Sequence, residues 1–196
     1  QCLVGSEMCI RDRLCQVGAL LISYRARFYD SLGKAAANYH NQFSGGAENF
    51  TLSYKTVSTV VDPFAPIPEL TQNLLDHLQN HSRAELETAQ CLTGPHKDDF
   101  TVSLSGIDLK AYGSQGQTRT AAISLKLAQR ELMAREWGEE PVLLLDDVLS
   151  ELDMRRQEFV LNRIGGGQTL ITCCEDDRLP QLLGGRIFHV KNGTVR

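Results

Sequence analysis

"PVLLLDDVLSELD", residues 141–153, passes from apolar to acidic within a few positions. Val142, Leu143, Leu144 and Leu145 have the character of a core strand, and that strand ends on two adjacent carboxylates, Asp146 and Asp147. In an open α/β sheet, ligands bind at the carboxyl ends of the strands, so an acidic pair there faces the binding crevice. The same two residues could instead cap the next helix. The surroundings set the fold class. Upstream, "TRTAAISLKLAQRELMARE" places Ala121, Leu125, Ala128 and Leu132 on one helical face. Downstream come a helix from about 153 to 164, a Gly165-Gly166-Gly167 break, the strand "QTLITCC" and a hairpin around Asn192-Gly193. Strands alternating with helices predict a layered α/β sheet.

Further upstream the texture is different. Leu14, Val17, Leu21, Tyr24, Phe28, Leu32, Ala35, Tyr39 and Phe43 recur at steps of three and four, an apolar stripe on one long helix that stops at Gly45-Gly46. About 30 residues at 1.5 Å each make a rod of roughly 45 Å. "FTLSYKTV" then alternates Phe50, Leu52 and Tyr54 with polar neighbours, as a half-buried strand does. "DPFAPIP", with three of the six prolines, is a rigid loop before a helix from Glu69 to about Gln90 carrying Leu70, Leu74, Leu78 and Leu86. "DFTVSLSGIDL" reads as strand, Ser105-Gly106 turn, strand. Residues 14–92 are therefore expected to form a mostly helical arm, and 93–196 an α/β head. Residues 1–13, "QCLVGSEMCIRDR", resemble translated adaptor sequence and are expected to be a non-native leader.

Composition excludes several classes. The 196 residues are 42% hydrophobic and 22% charged with a net charge of −4, so overall charge does not point to nucleic acid. No apolar run approaches the ~20 residues that span a bilayer. The six cysteines show no CxxC pair and no zinc-ligand spacing, and are read as reduced thiols of a cytoplasmic protein, with Cys173-Cys174 as buried packing. The basic residues Arg119, Arg130, Arg135, Arg155, Arg156 and Arg163 are scattered over predicted helices, as a solvated face would be.

The second informative stretch is "GSQGQTRTAAISLKLA". Ser114 stands 32 residues before Asp146, and "AYGSQGQ", 111–117, reads as a polar, glycine-punctuated loop in which Ser114 and Gly116 lie just before a helix whose first backbone N–H groups are available to an anion. Alone, "SQGQ" is an N-capped helix. With "LLLDDVLSELD" at this distance it resembles the signature loop of ATP-binding-cassette ATPases, followed by a Walker B strand and a D-loop ("SELD", 150–153). "GPHKDDF", 94–100, joins these two motifs to resemble the RecF family of bacterial DNA-repair ATPases, whose usual form is GPHRDD; Lys97 departs from it. The resemblance runs from about Leu14 to Arg196. It implies part of an ABC-type P-loop ATPase head plus a helical arm, ATP and Mg2+ as cofactors, single- and double-stranded DNA and the proteins RecO and RecR as partners, and an ATP-dependent homodimer. It further implies DNA replication, recombination, repair and the SOS response as the setting, and slow DNA-stimulated ATP hydrolysis.

By the same resemblance Asp146 assists magnesium and Asp147 is the catalytic base. Ser114, Gln115, Gly116 and Gln117 form the signature presented to the partner's nucleotide, and Ser150 to Asp153 the D-loop. Cassette ATPases commonly place a switch His after the strand matching "TLITCC", where this chain has Cys173-Cys174-Glu175. No G-x-x-x-x-G-K-[ST] occurs anywhere in the sequence, so this chain carries half of such an active site and is expected to be inactive alone. Two other readings share these motifs: an SMC- or Rad50-like chromosome-maintenance head, which the lack of sustained heptads weakens, and a non-enzymatic ATP-gated DNA clamp.

Overall fold

A computed structural model describes residues 2–148, 152–164, 166–173 and 185–195, the first few by backbone alone. The chain divides into two compact units, Gln1–Ala128 and Gln129–Arg196. The first takes in residues on both sides of position 92. Among the described residues no helix is long and apolar enough to cross a membrane.

The first unit is organised on α1, Cys2–Ser44, which runs without a break through the expected leader. Its buried face is not the predicted stripe. Cys15, Ala19, Ile22, Ala26, Ala36 and His40 are buried, whereas Val17, Leu21, Tyr24 and Phe28 are exposed and only Leu32 and Phe43 of that stripe are fully covered. The reason is close approach. A Cβ added at Gly18 would lie 3.0 Å from Leu74 Cδ1, and one at Gly33 would lie 3.1 Å from Leu52 Cβ. Small residues form the seam because large ones would hold the neighbouring elements away. Against this seam pack β1, Phe50–Lys55, and α2, Ile67–Thr88, whose Leu70, Leu74 and Leu78 complete a core with Val57, Val60 and Ala65.

β1 pairs antiparallel with β2, Asp99–Leu104, which turns into β3, Ile107–Asp108. Ser105 and Gly106 both have positive φ, +49° and +85°, the type I′ signature of a tight hairpin. The short helix α3, Leu109–Tyr112, follows, capped by Asp108. α4, Gln115–Trp137, begins in the first unit and ends in the second.

The second unit holds the parallel pair β4, Leu143–Asp146, and β5, Thr169–Thr172, linked through α5, Met154–Arg163. Leu143 and Leu145 are buried, but their neighbours Val142 and Leu144, and Leu170 opposite Leu144, are more than half exposed. One face of this small parallel sheet is therefore uncovered, unlike parallel sheets in general. A hairpin of β6, Val190–Lys191, and β7, Thr194–Val195, turns at Asn192-Gly193, again both at positive φ. Arg130 departs from the solvated-face expectation. It is buried, with Nε 3.1 Å from Glu140 and Nη1 donating to the Ile164 carbonyl at 3.2 Å.

Candidate functional site

Asp146 and Asp147 lie at the carboxyl end of β4, in register with Thr172 at the end of β5. The Thr172 hydroxyl joins the two strands' ends. It donates to Asp146 Oδ1 and accepts from the Asp147 N–H at 3.0 Å, while the Thr172 carbonyl also takes that N–H at 3.2 Å. Asp147 has φ +49°, in the left-handed region, at a cost of about 1–2 kcal/mol for a residue with a Cβ. Strain of this kind gathers at functional sites, where the surroundings enforce it. Both carboxylates are exposed. Neither caps α5: that role belongs to Asp153, which accepts from the Arg156 N–H at 3.0 Å and pairs with the Arg156 guanidinium at 3.2 Å. Ser150 lies outside the described residues.

The exposed carboxylate of Asp146 is a hard oxygen donor of the kind magnesium takes. Among the described residues no cluster of three or more His, Cys, Asp or Glu could enclose a metal. Magnesium keeps several waters and takes one or two carboxylates plus phosphate oxygens. Asp146, exposed and oriented through Oδ1, fits as one such ligand.

In the first unit, Ser114 and Gln117 form a reciprocal capping box at the start of α4. Ser114 Oγ accepts from the Gln117 N–H at 3.2 Å, and Gln117 Oε1 accepts from the Ser114 N–H at 3.0 Å. The other end of the Gln117 amide donates to Glu48 Oε1 at 2.7 Å. Glu48 Oε2 in turn accepts from Nε2 of His40, a fully buried side chain, at 2.9 Å. Ser114 and Gln115 are exposed and Gly116 half-buried. The first turn of α4 is thus tied through Glu48 to His40 of α1.

The GPHKDD stretch has a supporting role in the structure. Pro95–Lys97 is a single 3-10 turn, and the side chain of Asp98 behind it is almost wholly buried. Asp98 Oδ2 accepts from Arg25 Nη1 at 2.8 Å and from the Tyr54 hydroxyl, and Arg25 also donates to the Pro95 carbonyl. Burial, and then the Asp98 carboxylate, raise the Tyr54 phenol well above its usual range. His96 makes a scaffold bond with the Cys91 carbonyl at 3.0 Å. Cys173 is exposed rather than buried, because the strand ends at Thr172 just before it; Cys174 lies outside the described residues.

The mixed helix and sheet, the acidic strand end and the helical arm define an ABC-type ATPase fold, with which solved structures agree. A structure of the recombination mediator protein RecF with ATP, from the RecFOR pathway, superposes with TM-score 0.80 at 32% identity, over 95% of this chain and 50% of that one. A second, with ATPrS, gives TM-score 0.79 at 32% identity over 94% and 48%. The particular protein that the chain resembles is RecF. The DNA replication and repair protein RecF of Clostridium botulinum (strain ATCC 19397 / Type A) is 38% identical over 188 residues, 94% of this chain and 50% of the relative. That of Clostridium perfringens (strain SM101 / Type A) is 36% identical over 186 residues, with the same coverage. The chain spans about half the length of the curated relatives it matches. No family model matches it.

Proposed function

We propose that this chain is the C-terminal half of a cytoplasmic, ATP-dependent DNA-binding protein of recombinational repair and replication restart. Residues 14–92 are its arm and 93–196 complete its ATPase head. The RecF match supports the biological role. The observation that carries the nucleotide chemistry is the acidic pair held by Thr172 at the end of a parallel strand, with Asp147 strained into position. In this reading Asp146 turns one carboxylate oxygen to a magnesium ion, which when bound neutralises phosphate charge. Asp147 takes the proton of the attacking water, as a general base. Ser114, Gln115 and the Gly116 backbone meet the nucleotide of the other protomer, and the Ser150–Asp153 loop crosses the dimer. DNA, RecO and RecR are the partners. The uncovered face of β4 and β5 is consistent with a packed layer supplied by another segment.

The test uses the full-length protein containing this segment. Asp147→Asn should retain ATP binding and ATP-dependent dimerisation while lowering DNA-stimulated turnover by ~10²–10⁴, the range for a lost general base. Turnover at the parental rate would remove Asp147 from that role.

A further inference from the structure

We propose that Glu48 and Gln117 are positioning residues that tie the arm helix to the signature loop, so that Ser114 and Gln115 are presented correctly to a nucleotide held by a second protomer. The proposal rests on the trans-signature reading above. Its observation is that the Gln117 carboxamide is engaged at both ends within its own chain: its oxygen closes the capping box on Ser114, and its nitrogen reaches Glu48 at 2.7 Å. A side chain engaged at both ends holds the loop rather than the ligand.

Glu48 is in turn directed by His40. That ring is buried against Phe50, with centroids 5.4 Å apart, and among the described residues its Nδ1 has no hydrogen-bond partner and its Nε2 bonds Glu48 at 2.9 Å. A carboxylate carries no proton to give, so His40 donates from Nε2 and Glu48 accepts from both sides. The chain of contacts runs from the buried face of α1, through Glu48 at the foot of β1, to the first turn of α4. A movement of the arm therefore reaches the signature loop through two charge-assisted hydrogen bonds, one on each side of Glu48.

Gln117→Glu separates this role from simple helix capping. Glutamate serves in a capping box as well as glutamine does, so the bond to Ser114 survives. The contact with Glu48 becomes a meeting of two carboxylates. We expect ATP binding by each monomer to be unchanged and ATP-driven dimerisation, read by sedimentation, to weaken ~10–100-fold, the scale of one lost hydrogen bond to a charged group. Adding Glu48→Gln restores a donor–acceptor pair and should restore the dimer. Mixing Gln117→Glu with Asp147→Asn gives a second readout. Each variant is slow alone, but their mixed dimer has one site with a sound base and a sound signature, so turnover of the mixture should rise above that of either variant, up to about a quarter of parental at protein concentrations where every pairing is saturated.

A parental dimer for Gln117→Glu, or a double variant no better than the single, overturns the positioning role. The control is Ser114→Arg, which blocks the loop directly. If Ser114→Arg abolishes the dimer while Gln117→Glu does not, only the present proposal fails. If the parental protein forms no dimer with ATP, the trans-signature reading fails and takes this proposal with it.

Discussion

Thr172→Val removes one oxygen and keeps the shape of the side chain, so it isolates what the hydroxyl does for the acidic pair. In the structure that hydroxyl donates to Asp146 Oδ1 and accepts from the Asp147 N–H at 3.0 Å. The Asp147 N–H retains the Thr172 carbonyl at 3.2 Å, so β4 and β5 stay paired at their ends. What is lost is one hydrogen bond to a charged group, about 1.5–3 kcal/mol, and one restraint on a residue in a left-handed conformation. If about 2 kcal/mol of that loss appears in the transition state, turnover falls ~30-fold, since each 1.36 kcal/mol is tenfold. The KM for ATP should move little, because no phosphate cradle is altered. Steady-state hydrolysis by the full-length protein measures both quantities, and Thr172→Ser, which restores the oxygen, should return most of the rate. Parental turnover in Thr172→Val would refute the argument that this hydroxyl orients the pair; a raised KM with unchanged kcat would show that it acts on binding instead.

Two further outcomes concern the first unit. Asp98→Ala strands Arg25 and the Tyr54 hydroxyl beside a buried void, and should lower the unfolding free energy of this chain by about 1.5–3 kcal/mol, read from urea denaturation; a change under about 0.5 kcal/mol would deny the cluster its structural role. The pH dependence has a defined sign at His77, whose pKa is lowered by burial and then by the neighbouring His81. The unfolded chain binds that proton more readily, so the stability His77 contributes is intact above its ordinary pKa of about 6.5 and declines as pH falls below it. His77→Phe should flatten that acid limb in thermal melts between roughly pH 7 and 5, and an unchanged slope would contradict the assignment.

The element types were readable in the sequence because they depend on local pattern. The strand "FTLSYK" and the Ser105-Gly106 and Asn192-Gly193 turns stand where alternation and turn chemistry put them, whereas α4 opens at Gln115, inside the stretch expected as a loop, because the Ser114–Gln117 capping bonds carry the helix through Gly116. The buried face of α1 was misread because periodicity weights large side chains. The seam is instead built from Gly18, Ala19, Ala26 and Ala36, whose value is that they are small. The acidic pair was visible as chemistry, but its support was not. Thr172 is near Asp146 only through the parallel register of β4 and β5, and nothing local marks it. Glu48 and His40 likewise lie 69 and 77 positions before Gln117, so their role arises entirely from tertiary packing. The S-x-x-Q spacing of a capping box was present at 114–117, and could have been recognised there.

The central claim is that these residues supply the signature and acidic half of an ATP site whose phosphate cradle lies in another segment. Calorimetric titration of Mg-ATP into this 196-residue chain, beside the same titration of the full-length protein, tests it most directly. Without the cradle, two adjacent carboxylates repel a nucleotide's phosphates, so the chain alone should bind no more tightly than the millimolar range, about −4 kcal/mol, whereas the full-length protein should bind at micromolar concentration, about −8 kcal/mol. Micromolar binding of ATP by the chain alone would contradict the account and place the phosphate site within it.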